Sequence, residues 1–199
     1  MTSVIHHAMA PERNLVVVRH GLTEWASDGR HTGATDIPLL PSGEIEARAL
    51  QPVLAQFSFG LVLSSPRTRA RDTAALAGFP DALIDDDLVE WDYGGDEGIT
   101  SDAIRAARPG WDMWTDGFAG DAETLDQVVA RADRVIVRAL AAPGDVLAFA
   151  HGHFLRILGA RWIEQPGIMA QRFTVEPAST CHLGWKDHRR VIHRWNDHV

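Results

Sequence analysis

The stretch Leu15-Val16-Val17-Val18-Arg19-His20-Gly21 decides the fold predicted for this chain. Its four apolar residues follow one another without polar interruption, which is typical of a strand that is buried on both faces. Strands of that kind belong to parallel sheets that carry helices on both sides. A charged and potentially reactive tripeptide, Arg-His-Gly, comes directly after the strand. The sequence therefore predicts a strand whose carboxyl end presents functional side chains.

A second apolar run ends in the same way, and it lies far along the chain: Val146-Leu147-Ala148-Phe149-Ala150-His151-Gly152. Ligands of such sheets bind beyond the carboxyl ends of the strands. We therefore expect Arg19, His20 and His151 to meet in one crevice. A neutral imidazole can act as a nucleophile or proton carrier, and the guanidinium fork suits phosphate oxygens.

Length and charge limit the possible functions. The 199 residues fit a single domain, residues 1–199, with room for a sizeable core. The formal net charge of -8 argues against a nucleic-acid partner, because neutralising a phosphate backbone requires a basic face. An anionic substrate must then meet positive charge that is local. The sequence leaves the oligomeric state open.

Two further features concern the cellular compartment. No apolar stretch approaches the roughly 20 residues of a membrane span, and the first 14 residues lack a basic segment followed by an apolar one. These features predict a cytoplasmic location and no membrane partner. Cys181 is the only cysteine, so no intrachain disulfide is possible, and a buried, inert thiol is favoured over a nucleophile.

The remaining pattern predicts an α/β fold with three layers: a mostly parallel central sheet with helices on both faces. Residues 61–63 read as a second buried strand, and residues 181–185 and 191–195 as a terminal strand pair. Helices are predicted over 42–57, shortened by Pro52, over about 124–140, and from His153 to about residue 164. Another helix is predicted to begin at Ser65-Pro66, with the serine as its N-cap.

Two irregular segments remain. Residues 22–41 form a polar loop that we expect to line a site. Residues 85–123, rich in Asp, Gly and Trp, are predicted to form a cap over it, with uncertain helix content. The tryptophans of the cap, Trp91, Trp111 and Trp114, either cover a substrate or pack a small core, and packing is favoured.

Further motifs follow other predicted strands. Ser64-Ser65-Pro66-Arg67-Thr68-Arg69-Ala70 comes after the second strand, and Leu88-Val89-Glu90-Trp91-Asp92-Tyr93-Gly94 after the next segment. With Arg19-His20-Gly21-Leu22-Thr23-Glu24-Trp25 and Phe149-Ala150-His151-Gly152-His153, this set resembles the histidine phosphatase superfamily, the phosphoglycerate mutase-like group. The resemblance runs from Leu15 to about Trp195.

The resemblance implies a role for each matching residue. His20 would be the nucleophile that takes the phosphoryl group, Arg19, Arg69 and His151 the clamp around it, and Glu90 the proton donor. Gly152 would also contact the phosphate. Many relatives carry an asparagine where this chain has Ala26, so we expect its hydrogen bond to be replaced by Thr32 and the Gly33 backbone.

Phosphoryl transfer spreads negative charge over three oxygens, so fixed cationic donors suit these roles. Nearby arginines should keep His20 unprotonated, and its second ring nitrogen should donate to a backbone carbonyl. His153 lies two residues from His151, yet no third metal ligand follows at a typical spacing, so we expect neither a metal nor another cofactor. Arg156 is interpreted as a structural ion-pair former.

The predicted function is metal-independent hydrolysis of a phosphomonoester on a small phosphorylated metabolite, through a phosphohistidine intermediate. The motifs resemble the broad-specificity phosphatase branch. Two alternatives stay open. One is a cofactor-dependent phosphoglycerate mutase, which the short segment after the acid motif disfavours; the other is a noncatalytic phospholigand sensor.

Overall fold

The computed structural model describes residues 12–198. Most of the N-terminal segment used to predict the cellular location lies outside the described residues. The six strands within this range are β1 (Leu15–Arg19), β2 (Phe59–Ser64), β3 (Leu83–Ile84), β4 (Asp145–Ala150), β5 (Thr180–Lys186) and β6 (Arg189–Asp197). The seven α-helices in the same range are α1 (Glu24–Asp28), α2 (Pro41–Ala49), α3 (Gln51–Leu54), α4 (Thr68–Leu76), α5 (Ser101–Ala107), α6 (Leu125–Leu140) and α7 (Gly152–Trp162). Short 3₁₀ helices cover Asp86–Leu88, Gly94–Asp96 and Gly167–Arg172.

The strands form one sheet in the order β3-β2-β4-β1-β5-β6. Strands β1 to β4 run parallel to one another, and β5 and β6 are antiparallel additions at one side. The sheet is thus mostly parallel, as the sequence predicted. The β1–β4 pair at its centre is in register from Leu15 opposite Val146 to Arg19 opposite Ala150.

Alternate residues of β1 enter two different cores, which explains why its apolar run has no polar interruption. Leu15 and Val17 belong to a cluster that includes residues of α6 and α7. Val16 and Val18 belong to a second cluster with Leu50, which follows α2, and with residues of α3 and α4. Helices therefore cover both faces of the sheet, which confirms the three-layer prediction.

Helix α6 is the element that the sequence defined best. Thr124 precedes it as the N-cap, its side chain accepts from the backbone N–H of Gln127, and the Gln127 side chain accepts from the backbone N–H of Thr124. This reciprocal capping box fixes the start of the helix. Pro52 also acts as predicted, because the helix expected over 42–57 is divided into α2 and α3, with Leu50 between them.

The predicted helix start at Ser65-Pro66 is wrong. Helix α4 begins at Thr68, and its N-cap residue Arg67 makes no side-chain capping bond. Instead, the carboxylate of Asp36, from the loop after β1, accepts from the backbone N–H of Thr68 at 2.9 Å and from its hydroxyl at 2.8 Å. Ser65 is fully buried, and its hydroxyl contacts the ring of His151. The cap of α4 therefore comes from a residue that is distant in sequence.

Gly21 allows the chain to leave β1 close to α2. A Cβ atom at Gly21 would lie 2.4 Å from the carbonyl oxygen of Gly43, and one at Gly43 would lie 2.2 Å from the carbonyl oxygen of Leu22. Two backbones approach at this point too closely for any side chain. The paired glycines thereby set the position of the loop that follows His20.

Candidate active site

The central strand pair brings the two predicted histidines together. Arg19 lies opposite Ala150, and the backbone N–H of His20 donates to the carbonyl oxygen of Ala150 at 3.0 Å. His20 and His151 therefore leave the sheet side by side, with ring centroids 5.2 Å apart and planes inclined by 60°. Both rings are buried, with His20 only 4% exposed.

One hydrogen bond fixes the tautomer of His20. Its Nδ1 lies 2.8 Å from the carbonyl oxygen of Gly21, and a carbonyl oxygen can only accept. Nδ1 therefore carries the proton, and Nε2 presents a free lone pair. This is the backbone partner that the sequence analysis expected.

The surroundings of His20 oppose protonation. Burial is the largest cause that lowers its pKa well below the usual value of 6.5, and the charges of Arg69 and Arg19 lower it further. The direction agrees with the prediction, although the sequence pointed only to the arginines. A neutral imidazole with a free Nε2 is the form that can attack phosphorus.

Both nitrogens of His151 are engaged. Its Nδ1 accepts from the Nε of Arg69 at 3.2 Å, and its Nε2 lies 2.8 Å from the hydroxyl oxygen of Ser65. Burial, followed by the charge of Arg69, lowers the pKa of His151 well below 6.5. The neutral ring must then carry its proton on Nε2 and donate it toward Ser65. The sequence analysis missed this role of Ser65, because a serine before a proline also has the pattern of a helix cap.

Arg69 stands behind the histidines, fully buried at the start of α4. Its Nη1 donates to the carbonyl oxygen of Thr35 at 2.9 Å, and its Nη2 donates to that of Thr32 at 3.0 Å. The nearest carboxylate, that of Asp36, is 3.9 Å away. Arg69 thus ties the loop after β1 to His151 and places a positive charge behind both imidazoles.

Arg19 lies against the start of α7. Its Nη1 donates to the carbonyl oxygen of Val175. Its Nε is buried and has no acceptor among residues 12–198. A Cβ atom at Gly152 would lie 3.4 Å from the Cζ of Arg19, so the guanidinium group packs directly against the first residue of the helix.

Glu90 is held by backbone donors. Its Oε1 accepts from the N–H groups of Trp91 at 2.9 Å and Phe154 at 2.8 Å, and its Oε2 accepts from that of His153 at 3.0 Å. Two of these donors belong to the first turn of α7, where unpaired N–H groups point out of the helix. A carboxylate oxygen has two in-plane lone pairs, so Oε2 keeps one for a proton.

A buried arginine holds the segment that carries Glu90. Arg131, on α6, donates to the carbonyl oxygens of Asp87, Val89 and Glu90 at 2.8, 2.9 and 3.3 Å. It also makes a two-pronged ion pair with Glu123, with distances of 2.8 and 2.7 Å. The sequence analysis missed Arg131; Glu123 lies before the start of α6, outside the three- or four-residue spacing of ion pairs on a helix, so the local pattern does not indicate the pair.

These groups border a pocket of about 310 Å³. Arg19, His20, Thr32, Glu90 and Gly152 line it, as do Ala26 and Tyr93. Three predicted site residues stand behind this lining: His151 and Arg69, which are fully buried, and Gly33. The Gly33 N–H donates to both carboxylate oxygens of Glu97 at 3.0 Å and is therefore directed away from the pocket.

Arg156 does not form the ion pair expected of it. No carboxylate among residues 12–198 lies within 4.0 Å of its guanidinium group, which lines the pocket instead. Its Nε donates to the carbonyl oxygen of Ala170 at 3.1 Å, and its Cζ lies 4.7 Å from the ring centroid of Trp114. The sequence of a helix does not reveal whether an arginine on it faces a carboxylate or a pocket, because that neighbour lies on another element.

The cap tryptophans pack into an aromatic cluster with Phe118, which was the favoured alternative. Trp91, Trp111 and Trp114 are at most 8% exposed, and Trp91 lies 5.7 Å from Trp114 and 5.4 Å from Phe118 between ring centroids. Cys181 is buried within β5, as predicted, and burial raises the pKa of its thiol to about 12. His153 lines the pocket, and its Nδ1 lies 2.6 Å from the hydroxyl oxygen of Tyr93.

The fold and the site together define a class of α/β proteins in which a strand-end histidine, backed by a buried arginine, faces a pocket for a small molecule. The sequence model of the histidine phosphatase superfamily (branch 1) matches residues 15–198, and the chain belongs to that family. This membership confirms the resemblance drawn from the motifs.

Relatives of the chain carry phosphatase names. An acid phosphatase of Mycobacterium tuberculosis is 39% identical over 176 residues, with 86% of each chain covered. A sedoheptulose 1,7-bisphosphatase of Saccharomyces cerevisiae is 34% identical over 180 residues, which cover 74% of this chain and 66% of that protein. The solved structure of the open reading frame Rv3214 from Mycobacterium tuberculosis has a TM-score of 0.89 at 36% identity, with 94% of this chain and 98% of the other covered.

None of the helices in the described part of the chain is both long enough and apolar enough to cross a membrane. The cytoplasmic location stays a prediction.

Proposed function

We propose that this chain is a phosphomonoester hydrolase that acts on small phosphorylated metabolites through a phosphohistidine at His20. The observation that carries the proposal is the state of His20: Nδ1 is tied to the Gly21 carbonyl, and the lone pair of Nε2 is free. The names of the relatives support the same activity.

In the first half of the reaction, Nε2 of His20 attacks phosphorus, and the bond from phosphorus to the ester oxygen breaks. Glu90 gives its proton, from Oε2, to the departing oxygen, so the alcohol leaves neutral. In the second half, a water attacks the phosphohistidine, and the Glu90 carboxylate takes the proton from it. The bond from phosphorus to Nε2 breaks, and inorganic phosphate and the free imidazole result.

The charge that develops on the phosphoryl oxygens is assigned to the protein's own donors. Arg19 and Gly152 border the pocket, as does Thr32, whose hydroxyl donates to the carbonyl oxygen of Arg30 at 3.1 Å. Arg69 and His151 act from behind His20, Arg69 mainly through its charge because its nitrogens already bond to the protein. With this many fixed donors, the transition state needs no bound cation.

We also propose that residues 85–123 act as a cap within one domain. Glu90, Tyr93 and Ser101 come from this segment and line the pocket. Substrate selectivity would then depend on this segment as well as on α7.

Rapid quenching with a ³²P-labelled substrate, followed by peptide mapping, tests the mechanism. We expect acid-labile, alkali-stable label on His20 and turnover that is unchanged in excess chelator. Inorganic phosphate should be released without the bisphosphate primer that a mutase would require. His20→Ala should lose nearly all turnover while staying folded. His188→Asn, in an exposed turn, is the matched control and should behave like the wild type. Label on a serine, an aspartate or Cys181 would overturn the mechanism.

A further inference from the structure

Arg156 is a cation without a charged partner inside the pocket. It is half-buried on α7, and among residues 12–198 its recorded polar partner is the Ala170 carbonyl, which its Nε reaches. Neither of its two Nη atoms has an acceptor in that range. Arg30, also at the pocket, differs because it pairs with Asp28 at 3.2 Å.

Such a placement costs free energy in the unliganded protein. Burial is the largest cause that lowers the pKa of Arg156, and the negative charge of Glu90 opposes the shift only at a distance. A partly desolvated guanidinium group is retained at this cost when an anion offsets it. The Trp114 ring and the Ala170 carbonyl hold the side chain in one orientation, so its Nη donors are prearranged for a ligand.

The position of Arg156 relative to Arg19 sets the distance between the two anionic groups that the arginines can bind. Arg19 packs against Gly152, and Arg156 follows Gly152 by four residues on the same helix. Four residues of α-helix advance about 6 Å along the axis and return to the same face. The two guanidinium groups thus approach one pocket from points about one helical turn apart.

We propose that Arg156 binds a second anionic group of the substrate, a carboxylate or a phosphate, while the first phosphate is held at His20. The inference rests on the proposed function and narrows it: the preferred substrates are small phosphomonoesters that carry a second anionic group a few bonds from the phosphate. Arg156 acts here as a specificity-determining residue and takes no part in the transfer of the phosphoryl group.

The test compares substrates that differ in the second charge. 3-Phosphoglycerate and glycerol 3-phosphate differ by one carboxylate, and fructose 1,6-bisphosphate and fructose 6-phosphate differ by one phosphate. p-Nitrophenyl phosphate has no anionic group besides the phosphate, so its hydrolysis reports on the catalytic groups alone. In at least one pair, we expect the wild type to favour the substrate with two anionic groups by at least about tenfold in kcat/KM. The pair that responds identifies the anion as carboxylate or phosphate.

Variants then assign the preference to Arg156. Arg156→Gln should lower kcat/KM for the favoured substrate by roughly 10- to 100-fold, mainly through KM, as expected for a lost charge-assisted hydrogen bond. The activity of this variant on substrates whose only anionic group is the phosphate should stay within about threefold of the wild type. Arg156→Lys should restore part of the preference. Arg161→Gln, on the same helix but paired with Asp133 outside the pocket, should leave the preference unchanged.

The two proposals fail in different ways. Suppose that the wild type hydrolyses p-nitrophenyl phosphate but favours neither 3-phosphoglycerate nor fructose 1,6-bisphosphate over its partner. This result overturns the inference and leaves the proposed function intact. The same conclusion follows if Arg156→Gln lowers activity equally on both members of a pair. A wild type that hydrolyses none of the substrates overturns the proposed function itself.

Discussion

At the scale of single residues, the chemistry depends on how His20 and Glu90 are hydrogen bonded. His20 has one nitrogen committed to a carbonyl and the other free, and its lowered pKa keeps it unprotonated well below pH 6.5. Glu90 has one oxygen saturated by two N–H donors and the other half-free. Each side chain therefore offers the pocket one atom that can take part in the reaction.

Replacing Glu90 tests its role as a proton donor. Glu90→Gln should lower kcat for an alkyl phosphate by roughly 10² to 10⁴, the usual contribution of general acid catalysis. It should affect p-nitrophenyl phosphate far less, because nitrophenolate leaves without a proton. Steady-state kinetics on the two substrates measure the difference.

The matched control is Asp92→Asn, two residues away on the exposed surface of the same segment. Equal losses on both substrates in Glu90→Gln would mean that Glu90 positions the phosphate or activates water. If the leaving-group effect appears in Asp92→Asn instead, the role of acid belongs to Asp92.

The motifs predicted His20, His151, Arg19 and Glu90 at one site because strand ends in a parallel sheet converge. They could not predict how Ser65 or Arg156 would be used. The hydroxyl of Ser65 reaches a histidine 86 residues away, and the environment of Arg156 is a pocket wall built from several elements. Sequence spacing describes neighbours on one element, and these two roles depend on neighbours on others.

At the scale of elements, the strongly periodic segments were predicted well. The strands β1 and β4 and the helix α6 each bury a continuous apolar face, and this pattern is local. In β2, Leu63 is buried, whereas Leu61 and Val62 are half-buried. Strand β3 was missed because it has two residues, Leu83 and Ile84, which are 60% and 53% exposed at the sheet edge. The start of α4 was misplaced because its cap, Asp36, lies 32 residues before Thr68.

The distant cap of α4 predicts a measurable loss of stability. Asp36→Ala should lower the free energy of unfolding by about 1 kcal/mol, the typical cost of losing a helix cap. Denaturant titration measures the change. Asp102→Ala, which removes an exposed carboxylate that pairs with Arg105 at 3.0 Å, should change it by less than about 0.5 kcal/mol. Equal effects of the two substitutions would contradict the capping role.

At the scale of the whole molecule, four histidines link stability to pH: His20, His31 and His151, which are buried, and His153, which is half-buried. Burial is the largest cause that lowers the pKa values of His20, His31, His151 and His153, that of His31 to about 4. Below the unfolded value of about 6.5, the unfolded chain therefore takes up protons that the folded chain does not. The stability contributed by these neutral rings is present above that pH and is lost as the pH falls.

We expect the free energy of unfolding to fall between pH 6.5 and pH 4, by up to about 1.4 kcal/mol per pH unit for each histidine that stays neutral. Denaturant titrations at several pH values measure the slope. His31→Gln should make the slope shallower by about one proton, whereas His188→Asn, in the exposed turn, should leave it unchanged. A free energy of unfolding that stays constant or rises over this range would refute the linkage.

The pairing of β1 with β4 also has a consequence for biosynthesis. The two strands at the centre of the sheet are separated by about 130 residues of chain. At about 5 to 20 residues per second, a ribosome needs roughly 6 to 26 s to make that interval. During this time Leu15 to Val18, a segment that is fully apolar and buried in the folded protein, has no strand to pair with, and chaperones can bind it. The catalytic centre forms only after nearly the whole polypeptide has been translated.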